Sequence, residues 1–156
     1  MIRYVLAALA MAIVPATAQA QNITAQNPQS VASAMQRAGY AAQLSKDTSG
    51  DPMITSSSGG SSFTVFFYNC TNHVNCATIQ YFAGYPSNTV SLSIINGWNS
   101  DHRFGRAYIS DKGSSRVEMD VDLDDGGMSY GLFEDNLQFW VATMAAFEKH
   151  IGRTGK

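Results

Sequence analysis

The chain has 156 residues, 45% of them hydrophobic and 14% charged, with ten Lys/Arg against twelve Asp/Glu. That length corresponds to one domain large enough to bury a core, and a formal charge of −2 leaves no basic excess to attract nucleic acid. Aromatic residues make up 11% and run through the whole chain, which excludes low-complexity disorder.

The first twenty residues read as an export signal. Arg3 supplies a positive start, Tyr4 to Val14 are apolar, Pro15 breaks the run, and Ala18-Gln19-Ala20 is an A-x-A cleavage site. The apolar run is shorter than the ~20 residues a membrane span needs, and no later segment approaches that length. No membrane span is therefore expected after cleavage, and no Cys follows the cleavage point to carry a lipid anchor. The expected mature chain is Gln21–Lys156, with nine Lys/Arg against twelve Asp/Glu, delivered to the periplasm or out of a bacterial cell.

Residues 21–26 read as a polar lead-in. Asn27-Pro28 reads as a helix start, an N-cap acceptor before a residue whose missing N–H is not needed there. Val31, Ala34, Met35 and Ala38 recur at helical spacing up to Gly39. Tyr40–Asp47 reads as a strand, Ser49-Gly50-Asp51-Pro52 as a turn, and Met53–Ser57 as a short second strand. Phe63–Asn69 and Ala77–Tyr85 are aromatic and β-branched arms of a hairpin, with Cys70 and Cys76 facing each other at its mouth. In an oxidising compartment two cysteines so placed pair as a disulfide. Zinc lacks a fourth ligand beside Cys70, His73 and Cys76, and a redox C-x-x-C needs two intervening residues rather than five.

After Pro86-Ser87-Asn88, the positions Val90, Leu92, Ile94, Ile95 and Trp98 fit either a short helix or a strand; helix is favoured because Asn88 can cap it and Val90, Ile94 and Trp98 recur every fourth residue. Phe104–Ser110 and Ser115–Leu123 form a second hairpin around Asp111-Lys112-Gly113. In its second arm Val117, Met119, Val121 and Leu123 alternate with Arg116, Glu118, Asp120 and Asp122, one face buried and one wet. Phe133, Leu137, Trp140, Met144, Phe147 and Ile151 then make the apolar stripe of a final helix, simplest as core packing against the sheet. The residues thus read α-β-β-β-β-α-β-β-α, with the strand at 53–57 the least secure.

Three patterns carry potential chemistry. Gly127-Met128-Ser129-Tyr130-Gly131 matches G-x-S-x-G between a strand and a helix. Its downstream partners, Glu134, Asp135, Glu148 and His150, all lie on the helix Ser129 would open, which puts His150 roughly 30 Å along the axis. Ser129 is therefore read as a helix cap, with a small serine hydrolase as the alternative. Asp120, Asp122 and Asp124 resemble a calcium loop, but position six holds Asp125 in place of Gly and position twelve Gly131 in place of Glu. They read as the solvated face of a strand, with cation binding as the alternative. Arg103 and Arg106, near Asn99, Asp101 and His102, form a candidate polar site for an anion, against the plainer reading of pairing with local carboxylates or helix capping. Tyr68, Tyr81, Phe82 and Tyr85 read as cross-strand packing pairs.

Gly39-Tyr40, Asp47, Gly50-Asp51-Pro52, Phe66-Phe67-Tyr68-Asn69-Cys70, Cys76, Ile79-Gln80-Tyr81, Asn96-Gly97-Trp98-Asn99, Arg103-Phe104-Gly105-Arg106-Ala107-Tyr108 and Glu118-Met119-Asp120-Val121-Asp122 together resemble the YbjN family. These are bacterial domains labelled sensory transduction regulators. The resemblance implies one α+β domain over residues 27–152, with 153–156 as a tail. The implied architecture is an antiparallel sheet packed with helices in the order α-β-β-β-α-β-β-α, like type III secretion chaperones, with the strand at 53–57 discounted or merged. It implies regulation through a protein or peptide partner, with a homodimer within the range of chaperone-like folds. It brings no catalytic residues and no cofactor to transfer. The expectation is an exported, non-enzymatic interaction module of the bacterial envelope.

Overall fold

The computed structural model describes residues 22–86 and 90–153. The segment read as an export signal and Asn88 lie outside the described residues. The elements are α1 (Pro28–Arg37), β1 (Gln43–Lys46), β2 (Pro52–Ser58), β3 (Ser61–Tyr68), β4 (Thr78–Tyr85), α2 (Leu92–Asp101), β5 (Arg106–Ile109), β6 (Ser115–Asp122) and α3 (Tyr130–His150). All six strands join one antiparallel sheet in the order β1-β2-β3-β4-β6-β5. This is an α+β single domain, as expected. The expected strand at 53–57 is neither absent nor merged: β2 pairs with both β1 and β3, so four strands precede α2.

Side chains alternate across a strand, and one sheet face carries the core. Ile54, Phe63, Val65, Phe67, Ile79, Tyr81, Ala83, Val117, Met119 and Val121 are buried there. The α3 stripe meets them through Phe133, Leu137, Trp140, Met144 and Phe147, each at most 2% exposed. Trp140 stacks on Tyr81 with ring centres 5.6 Å apart and meets Phe63 edge-on at 5.9 Å. Such aromatic contacts add to the area term that dominates burial. On the same helical side, Trp98 of α2 is fully buried and donates its indole N–H to the Gly105 carbonyl at 2.6 Å.

Several boundaries differ from the sequence reading for local reasons. The lead-in is part of the core: Ile23 and Ala25 are 5% and 0% exposed, and Ile23 exchanges two backbone hydrogen bonds with Met128. Asn27 makes no side-chain cap bond, although α1 does start at Pro28. Tyr40 closes α1 by donating its N–H to the Met35 carbonyl, which delays β1 to Gln43. α2 is capped by Ser91, whose Oγ accepts from the Ile94 N–H, so the helix begins at Leu92 rather than after Asn88. That start leaves Val90 before the helix and Ile94 37% exposed, and the buried face is Ile95 and Trp98.

Candidate interaction surface

Among the described residues no helix lies over the centre of the sheet's second face, and the strand register sets its side chains in rows. Thr64, Phe82, Glu118 and Arg106 lie side by side across β3, β4, β6 and β5. Phe66, Gln80 and Asp120 form the next row, Tyr68, Thr78 and Asp122 the one after. On the other side of the Glu118 row lie Gly84, Arg116 and Tyr108. Phe66 meets Phe82 edge-on at 5.6 Å and Tyr68 at 6.3 Å, so three rings form a continuous apolar strip. Tyr68 is 43% exposed at its end.

Glu118 sits in the middle of this face and is only 5% exposed. A buried carboxylate needs partners, and two neighbours from β5 supply them. Arg106 pairs with one oxygen, and the Tyr108 phenol donates to the other at 2.5 Å. Burial holds the Tyr108 phenol above its ordinary pKa, which keeps the donor protonated. Arg116 then donates to the Tyr108 oxygen at 3.3 Å. Its guanidinium lies 5.5 Å from the centre of the Phe82 ring and 5.7 Å from that of Tyr108, within cation–π range of both. In the next row Gln80, 8% exposed, donates to Asp120 at 2.8 Å. The surface therefore combines a ring strip, a neutralised Arg106–Glu118 pair and a second arginine fixed between two rings.

A family model matches residues 27–153, described as "Putative bacterial sensory transduction regulator". The chain belongs to the YbjN family. No curated protein and no solved structure matches it. In this YbjN chain the matched segment starts at the residue before α1 and ends just beyond α3, so it takes in every strand of the sheet.

Cys70 and Cys76 form the expected disulfide across the β3–β4 connection. The turn inside it, Thr71 to Val74, closes with two backbone hydrogen bonds and takes positive φ at Asn72 and His73, conformations that Asn and His tolerate better than most residues. His73 reaches the Asp51 carboxylate at 2.8 Å and ties this turn to the β1–β2 turn. Arg103 and Arg106 have different partners: Arg106 pairs with Glu118, while Arg103 lies over the Phe104 ring at 5.8 Å. Asn99 instead brackets the edge strand, accepting from the Ala107 N–H and donating to its carbonyl. The aromatic set splits as well, with Tyr68 and Phe82 on the open face and Tyr81 and Tyr85 in the core.

Ser129 caps α3, its Oγ accepting from the Leu132 N–H at 3.3 Å. The three histidines are engaged elsewhere: His73 with Asp51, His102 stacked on Trp98, and His150 against the Ile94 carbonyl at the far end of α3. Asp120 and Asp122 lie along β6, about 7 Å apart at two residues of extended strand, and Asp122 accepts from the Asp124 N–H. Among the described residues no group of three or more His, Cys, Asp or Glu converges to hold a metal. The residues missed in the sequence are Tyr108, Arg116 and Glu118. Folding β5 back on β6 through the Ser110–Ser114 turn places Arg106 opposite Glu118, a pairing available only once that register is known.

Proposed function

We propose that this YbjN-family chain is an exported, non-enzymatic regulatory module of the bacterial envelope that acts by docking a protein on the open face of its sheet. The observation that carries the reading is the uncovered ring strip Phe66–Phe82–Tyr68 beside the fixed cation of Arg116. Aromatic and arginine side chains together are the composition from which protein contacts draw most of their energy. The partner fitted to it presents apolar side chains to the strip and an acidic group to the Arg116 end. The family's description is consistent with a regulatory module. Export is supported by the Arg3 to Ala20 pattern and by a disulfide of the kind that persists outside the cytoplasm. Among the described residues no helix is long and apolar enough to cross a membrane.

The test places a photoreactive amino acid at Tyr68 and, in a second protein, at Phe139, which is 50% exposed on α3. Both proteins are irradiated in the envelope fraction of the producing cell. An adduct of discrete mass from position 68, absent from position 139 and unchanged by Ser129→Ala, supports the reading. Equal labelling from both positions, or from neither, overturns it. Turnover of an ester or peptide substrate that disappears in Ser129→Ala overturns the non-enzymatic part.

A further inference from the structure

Charge accounting on the open face leaves one arginine in an unusual state. Arg106 is neutralised by Glu118, and the Tyr108 proton is committed to the same carboxylate. Arg116 uses one N–H on the Tyr108 oxygen and has no carboxylate within ion-pair distance among the described residues. A guanidinium carries five N–H donors, so four remain, on a half-buried group that two rings and a hydroxyl hold in one orientation. It opens onto a cleft of about 270 Å³ at the β5–β6 turn, lined by Tyr108, Ile109, Ser110, Asp111, Lys112 and Arg116. Lys112 brings a second cation to the rim, and Asp111 offsets one of the two charges. Ser110 is committed to the turn, its Oγ accepting from the Ser114 N–H.

We infer that this cleft is a carboxylate seat, with the Arg116 guanidinium as the oriented fork and Lys112 as the flexible second donor. A planar guanidinium matches the two oxygens of a carboxylate, and the charge-assisted bonds so formed are about twice as strong as neutral ones. The orientation is set before the ligand arrives, which lowers the ordering cost of binding. That the carboxylate is an acidic side chain of the docked protein rests on the reading above. The seat itself can be tested without any partner, so the two ideas fail separately.

The experiment is an amide NMR titration of the mature protein at constant ionic strength with glutarate, inorganic phosphate or chloride. Glutarate is expected to give saturable shifts centred on residues 110–116, with Kd on the order of millimolar and tighter than phosphate. Arg116→Gln and Lys112→Gln should each weaken it about five- to tenfold, as the loss of a charge-assisted bond implies. Lys112 is exposed on the turn, so its variant answers the question even if Arg116→Gln disturbs the packing of Phe82 and Tyr108. Saturation by phosphate without glutarate overturns the carboxylate assignment. Shifts no different from chloride, or unchanged in Lys112→Gln with the fold intact, overturn the seat.

Discussion

Gly127→Ala and Gly131→Ala separate two explanations of the G-x-S-x-G segment. Gly127 has φ of +72°, and a Cβ there would stand 2.0 Å from the Ile23 carbonyl oxygen, a backbone atom that no rotamer change can move. Alanine in this conformation costs about 1 kcal/mol. Moving the Ile23 backbone away also breaks its two hydrogen bonds to Met128, of 2.9 and 3.0 Å, at about 1 kcal/mol each. Lifting the Ile23 side chain out of the core adds a share of the ~1.5–3 kcal/mol its burial contributes. The expected loss is about 3–5 kcal/mol, or about 10–20 °C in Tm for a domain of roughly 130 residues. Gly131, by contrast, has open space around its missing Cβ and lies in the first turn of α3. Alanine there should be neutral or stabilise by up to about 1 kcal/mol. Urea melts of both variants against the parent, followed by circular dichroism, check the pair. Gly127→Ala melting with the parent would refute the clash with Ile23, and a loss of more than about 1 kcal/mol in Gly131→Ala would refute a merely helical role for Gly131.

Two other perturbations test separate parts of the fold. Replacing Cys70 and Cys76 together by Ala opens a loop with a sequence separation of 6, which chain entropy values at no more than about 2.4 kcal/mol, or about 8–9 °C; calorimetry that finds the double variant unfolded would make the disulfide a condition of the fold rather than a local staple. Burial pushes the Tyr81 and Tyr85 phenols well above the ordinary value of 10.0, with the Glu148 carboxylate adding to the second. Both phenols are neutral in the folded and unfolded chain below that pH; above it only the unfolded chain readily releases the protons, so stability falls as pH rises. Phenolate absorbance should therefore show a cooperative alkaline step that coincides with unfolding and shrinks in Tyr81→Phe, and a single gradual titration near pH 10 with the fold intact would contradict it.

How much of this was legible in the sequence follows from how far apart the cooperating residues lie. The α3 stripe from Phe133 to Phe147 is a local periodicity and appears in the structure as read; the β6 alternation does so for its apolar side and for Asp120 and Asp122, while Glu118, on the side read as wet, is buried. The Cys70–Cys76 pair spans one turn and was equally plain. β2 was doubtful because Thr55 and Ser57 sit on its exposed side and Ser56 is a buried polar residue, so its apolar signal reduces to Met53 and Ile54. What makes it a strand is pairing with neighbours on both sides. Ile23 looked like part of a polar leader because its contact, Met128, is a hundred residues away in the chain. The open face was the least legible part. Arg103 and Arg106 stand close in sequence, yet Gly105 takes a positive φ between them and Arg106 enters β5 while Arg103 does not.

The Glu118 pair bears on why the face has this composition at all. Only the Glu118 half of the pair is buried, the Arg106 side chain being 67% exposed, and a pair with one desolvated partner is weak evidence for stability, because desolvation offsets much of the Coulomb gain. A hydrophobic residue at 118 would sit naturally between Phe82 and the rest of the strip, and would extend the apolar surface into the β5–β6 end. The carboxylate instead interrupts that surface, draws Arg106 onto itself and fixes Tyr108 as a donor. Tyr108 thereby has its oxygen lone pair directed to Arg116, and among the described residues that guanidinium has no carboxylate within ion-pair distance. The network converts two arginines of equal formal charge into one neutralised structural group and one positioned cation. If a partner docks on this face as proposed, recognition depends on where its carboxylate falls relative to the ring strip, and not on net charge, which for the whole chain has the opposite sign.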